Sequence, residues 1–314
     1  MCLQTADQKI IMNDVIIIGA GAAGLSAGLW CDELGLKTLV LESEKEIGGQ
    51  LLRVYNPIAN HLGAIASNGS EMRDKFAAQI ENCGFQRRFE TKISSVDLAA
   101  KNIVLENGEQ LRSRAIILAT GVRRRRLNIA GENLRGVLES GKRDAEFGRG
   151  KNVCVIGGGD AAAENALIFA AVAEKVFLVH RNKEFRARAE FLEKINGNTR
   201  IEILLETEVK KIVGKEAVEA VELRKNDSPE KFQIAVSSVL VRIGVEPNTD
   251  FVCGQIKLDE NGYIEINSSC ETSLENVFAV GDVANPLAPT VSSAVGGGAT
   301  AAKMLRARFD NNRT

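Results

Sequence analysis

Apolar residues in this chain collect in short unbroken runs at 15–18, 39–41, 115–118, 153–156, 176–179, 239–241 and 277–280. Runs of this length, rich in Val and Ile, read as buried strands. Between them the spacing changes. Residues 25–34, 71–83 and 292–307 read as helices, and in the second of these Met72, Phe76, Ala77 and Ile80 recur at helical spacing. Residues 93–96, 103–105 and 110–112 read as short strands with Asn107-Gly108 as a turn, and 201–205, 209–213, 217–223 and 232–236 read as a second meander.

Two of the runs open the same device. Residues 15–18 lead into Gly-Ala-Gly-Ala-Ala-Gly (Gly19, Gly21, Gly24) in a unit that ends at Glu42. Residues 153–156 lead into Gly-Gly-Gly-Asp-Ala-Ala (Gly157, Gly159, Asp160, Ala162) in a unit that ends at His180. The offsets agree, since 42 − 19 = 23 and 180 − 157 = 23. Each copy reads as strand, tight glycine turn, helix and strand, the unit that holds a dinucleotide pyrophosphate at a helix N-terminus. Gly19 and Gly157 allow the turn, Gly21 and Gly159 admit the phosphates where a Cβ would stand, and Gly24 and Ala162 keep the helix close to the sheet. The repeat predicts an α/β protein with two Rossmann-like, three-layer dinucleotide-binding domains. Two dinucleotides in one chain suggest electron transfer between them.

The two units end in different charge. Glu42 stands where a carboxylate accepts hydrogen bonds from an adenosine ribose and repels a 2′-phosphate. His180 and Arg181, with Arg186 and Arg188 just beyond, form a cationic cluster that suits a 2′-phosphate, and so NADPH rather than NADH; the plain alternative is a solvated basic loop. After the second unit, 239–244 mirrors 116–121. The simplest topology therefore inserts the second domain, 119–244, into a first domain made of 1–118 and 245–314. Gly121 and Gly244 stand at the two crossings, either as hinges or as strand ends.

Composition removes several classes of function. A length of 314 residues accommodates two domains, and a formal net charge of −1 gives no general attraction to nucleic acid or to a membrane surface. The basic run Arg123-Arg124-Arg125-Arg126 is short and reads as a solvated or phosphate-facing turn. No apolar stretch is long enough to span a bilayer, and the apolar region near the N-terminus is a strand and a helix rather than a signal peptide. Six cysteines, at 2, 31, 83, 154, 253 and 270, form no C-x-x-C and, with two histidines, no metal site. They read as reduced thiols of a cytoplasmic protein.

Further motifs join the two turns. Gly48-Gly49-Gln50, Ala119-Thr120-Gly121, the Gly-Gly-Gly-Asp-Ala-Ala-Ala-Glu stretch, His180-Arg181 and Val277-Phe278-Ala279-Val280-Gly281-Asp282 follow one another in a familiar order. From about residue 14 to 303 the chain resembles the low-molecular-weight thioredoxin reductases. The resemblance implies FAD in the first domain, NADPH in the inserted one, and a homodimer. It implies that Glu42 holds the FAD ribose and that Gly48, Gly49 and Gln50 lie near the flavin, with Thr120, Gly121 and Gly281 in the same site. It also implies that Asp282 bonds the ribityl chain or phosphate region.

The chain departs from that pattern where the family keeps its chemistry. The family's C-x-x-C followed by Asp is here Ser140-Gly141-Lys142-Arg143-Asp144. Neither serine nor arginine shuttles electrons as a thiol pair does, so no catalytic residue is assigned at this position. Asp144 either caps or pairs with Lys142 or Arg143, or those two cations place positive charge near the flavin. Past Gly281-Asp282, Pro289-Thr290 replace the family's Arg-Gln; Thr290 either bonds the flavin ring or belongs to a proline-stiffened loop before a helix. The expected activity is an FAD-dependent NADPH oxidoreductase that passes electrons from reduced flavin directly to an acceptor, a small molecule or a redox protein. A ferredoxin–NADP reductase-like enzyme is a second reading, weakened by the short segment after the last predicted helix. A catalytically silent FAD-binding redox sensor is the third.

Overall fold

The structure, a computed structural model, describes residues 12–311, so Cys2 lies outside the described residues. These residues hold 17 strands and six α-helices, numbered in chain order β1–β17 and α1–α6. The chain divides into two compact units: one runs to Arg123 and resumes at Glu246, and the other is Arg124–Val245. The crossing strands β7 (Val122–Arg124) and β16 (Val245–Pro247) pair with each other. They begin just past Gly121 and Gly244, whose φ values of 63° and 96° are left-handed.

In the first unit, β1 (Met12–Ile18), β2 (Thr38–Leu41), β3 (Gln86–Arg88), β6 (Gln110–Leu118) and β17 (Val277–Ala279) run parallel in the order β3-β2-β1-β6-β17. The strand expected at 110–112 is not separate; it is the start of β6. That first half pairs antiparallel with β5 (Asn102–Leu105), which pairs with β4 (Ile93–Asp97), while the second half pairs with β17. Val15, Ile17, Ile117 and Phe278 face α1 (Ala22–Glu33) and α6 (Val291–Asn311). Ile16, Ile18, Ile116 and Leu118 face the other way, onto Val96, Ile103, Val252 and Ile264. Burial on both faces is why the runs are unbroken rather than alternating. Small residues let the two helices touch: a Cβ on Gly298 would stand 2.5 Å from the Ala23 oxygen, and Ser26 Oγ donates to Val295 O at 2.7 Å.

The helix expected at 71–83 is α2 (Gly69–Gln79). It starts earlier because the Asn68 side chain accepts from Glu71 N at 3.0 Å while the Glu71 carboxylate reaches back to Ser67 N at 2.7 Å, a reciprocal cap. It ends earlier because Ile80, at φ −97° and ψ 4°, leaves helical geometry, so Cys83 lies beyond it.

The second unit repeats the plan. β8 (Val137–Leu138), β9 (Asn152–Ile156), β10 (Lys175–Val179), β11 (Ile201–Leu204) and β15 (Ser238–Val241) run parallel in the order β11-β10-β9-β15-β8. α4 (Asp160–Ala170) follows β9, and α5 is Ala189–Asn196. The meander expected at 201–236 loses its first member: β11 pairs in parallel with β10 through Val176↔Ile201 and Leu178↔Ile203, and Ile201 and Ile203 pack on the core between sheet and helix. The remaining strands, β12 (Thr207–Val213), β13 (Ala220–Lys225) and β14 (Lys231–Ala235), form a separate antiparallel sheet.

Candidate functional site

In the first unit a cavity of about 680 Å³ opens at the carboxyl ends of β1, β2 and β6. Gly21 is the N-cap of α1, with no side-chain cap and no acid in the first turn, and the first backbone bond of the helix is Leu25 N to Gly21 O. The N–H groups of the first turn are therefore left for a ligand, and the nearest atom to a Cβ on Gly21 would be 3.9 Å away. Gly19, at φ 107°, turns so tightly that a Cβ would lie 2.4 Å from Ala119 O. Gly24 does not line the cavity; it packs under it, where a Cβ would meet Gly19 O at 1.9 Å.

The other eleven expected FAD residues all line the cavity. Glu42 is buried, its Oε2 accepting from Ala20 N at 2.7 Å and its Oε1 from Glu44 N at 3.0 Å, which aims the carboxylate and leaves lone pairs for hydroxyls. Gly48 (φ 129°) and Gly49 (φ 52°) bring backbone beside Gly21, and Gly48 N donates to Ala20 O at 2.9 Å. Gln50 Nε2 is held by Val122 O at 2.6 Å. Thr120 and Asn248 bond each other twice, Oγ1 to Asn248 O at 2.9 Å and Asn248 Nδ2 to Thr120 O at 2.7 Å, and Gly121 follows. Asn248 lacks a motif of its own and escaped the sequence reading. Gly281 (φ 75°) would place a Cβ 2.7 Å from that of Ala23. Burial raises the Asp282 carboxyl above its ordinary value, and no described residue donates to it. A half-buried, unpartnered carboxylate facing a cavity is a site for hydroxyl donors. Thr290 lines the cavity beside Pro289, but its Oγ1 accepts from Ser293 N at 3.1 Å and starts α6. Its hydroxyl is thus engaged as a cap, which favours the loop reading over a bond to the flavin. This cradle of bare N–H groups, a placed carboxylate and an unpartnered one fits a flavin dinucleotide.

In the second unit Gly157 (φ 148°) backs onto Arg242 O, and Ala162 is buried beneath the turn. Gly159 N-caps α4, and a Cβ there would meet nothing within 4 Å. The cationic cluster needs correction. His180 is buried, its ring stacked on Phe185 at 5.4 Å and lying over Gly158, where a Cβ would be 2.2 Å from it. Burial lowers its pKa below the usual 6.5, opposed by a bond to the Glu184 backbone and reinforced by Arg186 and Arg181, so the imidazole is neutral near pH 7. Its Nε2 finds no partner among the described residues. Arg188 is spent on Asp160, 2.7 Å away, and on Glu190. Arg181 and Arg186 remain: both are exposed and neither guanidinium is ion-paired among the described residues. Two exposed guanidiniums beyond a second helix N-terminus that has no side-chain cap fit the phosphates of NADPH.

The segment 140–144 is a capped and ion-paired helical turn, with Lys142 and Arg143 exposed. Ser140 caps α3 (Gly141–Asp144), Gly141 N donates to Asn165 Oδ1 at 2.7 Å, and Asp144 accepts from Glu139 N, Ser140 N and Arg143 Nε at 2.9, 3.0 and 2.5 Å. Burial pushes the Asp144 carboxyl up, but Arg143 and the two backbone donors outweigh it and hold the group below its ordinary range. The charge of Arg143 is matched by Asp144 and Glu139, which favours the cap-and-pair reading of Asp144. Burial lifts the Cys31 and Cys154 thiols to about 12, so neither supplies a thiolate at neutral pH.

Two glycine turns, each between parallel strands of its own unit, with one unit inserted in the other, define a protein with two dinucleotide-binding folds. Comparison with known proteins gives the same class. Residues 13–299 match the family model for pyridine nucleotide-disulphide oxidoreductases. The chain is 34% identical to a thioredoxin reductase of Mycolicibacterium smegmatis over 296 residues, 92% of this chain and 94% of that one. It is 30% identical to a 34.2 kDa protein in the rubredoxin operon of Clostridium pasteurianum, covering 93% and 95%. The crystal structure of Lactococcus lactis thioredoxin reductase superposes with a TM-score of 0.81 at 29% identity, covering 95% and 99%. The chain belongs to the pyridine nucleotide-disulphide oxidoreductase family, among its thioredoxin reductase-like members. FAD and NADPH are the cofactors of that group. No described helix is long and apolar enough to cross a membrane.

Proposed function

We propose that this chain is a cytoplasmic, homodimeric FAD-dependent NADPH oxidoreductase that passes electrons from flavin directly to an acceptor, with no thiol relay. The observation that carries the reading is the capped turn at Ser140–Arg143, whose capping and ion pairs occupy the place of the redox cysteines. Bound FAD would supply two-electron chemistry with NADPH as donor. The chain's own residues do the positioning. The α1 N-terminus, with Gly19, Gly21, Gly48 and Gly49, receives the FAD diphosphate, Glu42 takes the adenosine ribose, and Asp282 takes the ribityl hydroxyls. In the second unit Gly157, Gly159 and Ala162 form the turn for NADPH, and Arg181 and Arg186 take its 2′-phosphate. Asp160 positions Arg188, and His180 fills the space above Gly158. A silent redox sensor would not need two exposed arginines without an ion pair among the described residues at that strand end, so they favour an enzyme. A ferredoxin–NADP reductase-like activity on a small electron carrier draws support from the Clostridium pasteurianum relative in a rubredoxin operon.

An anaerobic NADPH titration of the yellow protein tests the reading. Bleaching of the flavin band by about one equivalent is expected from a two-electron donor, together with no NADPH-dependent reduction of a thioredoxin disulfide. A persistent band refutes the NADPH assignment, and turnover of thioredoxin refutes the absence of a relay.

A further inference from the structure

The two units carry equivalent residues at the point where their sheets reverse order. β1 pairs with β6 up to Ile18↔Leu118, and β9 pairs with β15 up to Ile156↔Val241. The next residues, Ala119 and Arg242, donate their N–H to Ile18 O and Ile156 O at 2.8 and 2.7 Å. Their carbonyls back the two glycine turns, 2.4 Å from a Cβ on Gly19 and 2.1 Å from one on Gly157. This is the switch point of an open α/β sheet, where the ligand lies outside the strand ends. In the first unit the residue is alanine and lines the cavity. In the second it is arginine. A second equivalent pair also differs: α1 begins with Ala22 after its glycine cap, and α4 begins with the carboxylate of Asp160.

Among the described residues Arg242 has no ion pair to explain it. Its Nη1 donates to Val241 O at 3.0 Å and its Nη2 to Glu139 O, a carbonyl that also accepts from Arg124 Nη1. Glu139, Asp144 and Glu164 are near enough to favour its charge, but none of them makes an ion pair with it, and Asp144 is already bound to Arg143. Burial, helped by Arg124, brings the guanidinium down to about 10. It is a half-buried cation that no described carboxylate pairs with, with donors to spare among its five N–H groups.

We propose that Arg242 binds the diphosphate of the dinucleotide held by the second unit. The proposal rests on the reading of that unit as an NADPH site and adds a division of labour. Arg181 and Arg186 select the 2′-phosphate, whereas Arg242 grips the part that NADPH shares with NADH and so raises affinity without choosing between them.

Calorimetric titration of the flavin-loaded protein with NADP+ and with NAD+ tests this. Arg242→Ala is expected to weaken both ligands by the same factor, about 10- to 100-fold for a lost charge-assisted bond. Arg242→Lys should recover most of it, and the Arg181→Ala, Arg186→Ala double variant should weaken NADP+ alone. Undiminished binding by Arg242→Ala overturns the proposal, as does a loss confined to NADP+. If the lysine variant binds as poorly as the alanine one, Arg242 acts only by holding the Glu139 carbonyl and the proposal falls. Failure of the wild type to bind either nucleotide instead removes the NADPH reading beneath it.

Discussion

Alanine at Gly24 measures how tightly α1 is held against the first glycine turn. The added Cβ would lie 1.9 Å from Gly19 O, against 3.4 Å for ordinary contact, so 3.4 − 1.9 = 1.5 Å must be found. No side chain can swing aside, because the obstacle is backbone locked by Gly19 N to Leu41 O at 2.8 Å and by Ala119 behind it. Overpacking costs ~1–3 kcal/mol, and a rigid obstacle puts this case at the upper end. Better helix propensity returns ~1 kcal/mol, for a net loss of ~2 kcal/mol. At ~2–4 °C per kcal/mol, the melting point of the flavin-loaded protein should fall by ~4–8 °C. The helix must also retreat, withdrawing the first-turn N–H groups from the FAD diphosphate, so flavin occupancy should fall with it. Thermal melting followed by flavin fluorescence, with bound FAD quantified by absorbance, reads both effects. The reverse change at the equivalent position of the other unit, Ala162→Gly, supplies the control: it costs ~1 kcal/mol of helix propensity and leaves flavin content untouched. A Gly24→Ala protein that melts with the wild type and keeps its full flavin would refute the packing argument.

Asp144→Asn takes the buried partner from Arg143, which is 43% exposed and keeps Glu139, and should cost ~1–2 kcal/mol in urea unfolding near neutral pH. Because the Asp144 carboxyl is held below its unfolded value, its contribution is complete above the ordinary carboxylate pKa of ~4 and disappears as the pH falls through the lower folded value. The variant and the wild type should therefore converge in acid, and a stability gap independent of pH would contradict the assignment. The chain has only two histidines, so NMR can follow His180 directly. In the wild type it should titrate below 6.5, and Gly158→Ala, which takes the space of the ring, should expel it and return it towards that value. An unchanged titration would mean that the ring does not lie where the structure places it. Thiol labelling of the native protein should mark exposed Cys253 and spare buried Cys31 and Cys154; rapid modification of either buried thiol would show that its strand or helix opens.

The chain's order along its length is a local property, and local chemistry is written in sequence. Unbroken Val and Ile runs are strands because both faces are covered, and the turns at Gly19 and Gly157 show because each needs a positive φ and a close approach within a few residues. The internal repeat followed from such local signals. What sequence could not decide was which distant groups meet. The cluster at His180 contains a histidine that turns inward because Gly158 lacks a Cβ, and an arginine, Arg188, claimed by Asp160 28 residues away. Thr120 is locked by Asn248, 128 residues distant, and β11 leaves the expected meander because its isoleucines fit the parallel core. Arg242 becomes visible only when β15 lies beside β9. Charge is counted from sequence, but burial and pairing set whether it is expressed, and both depend on strand register that only the folded chain supplies.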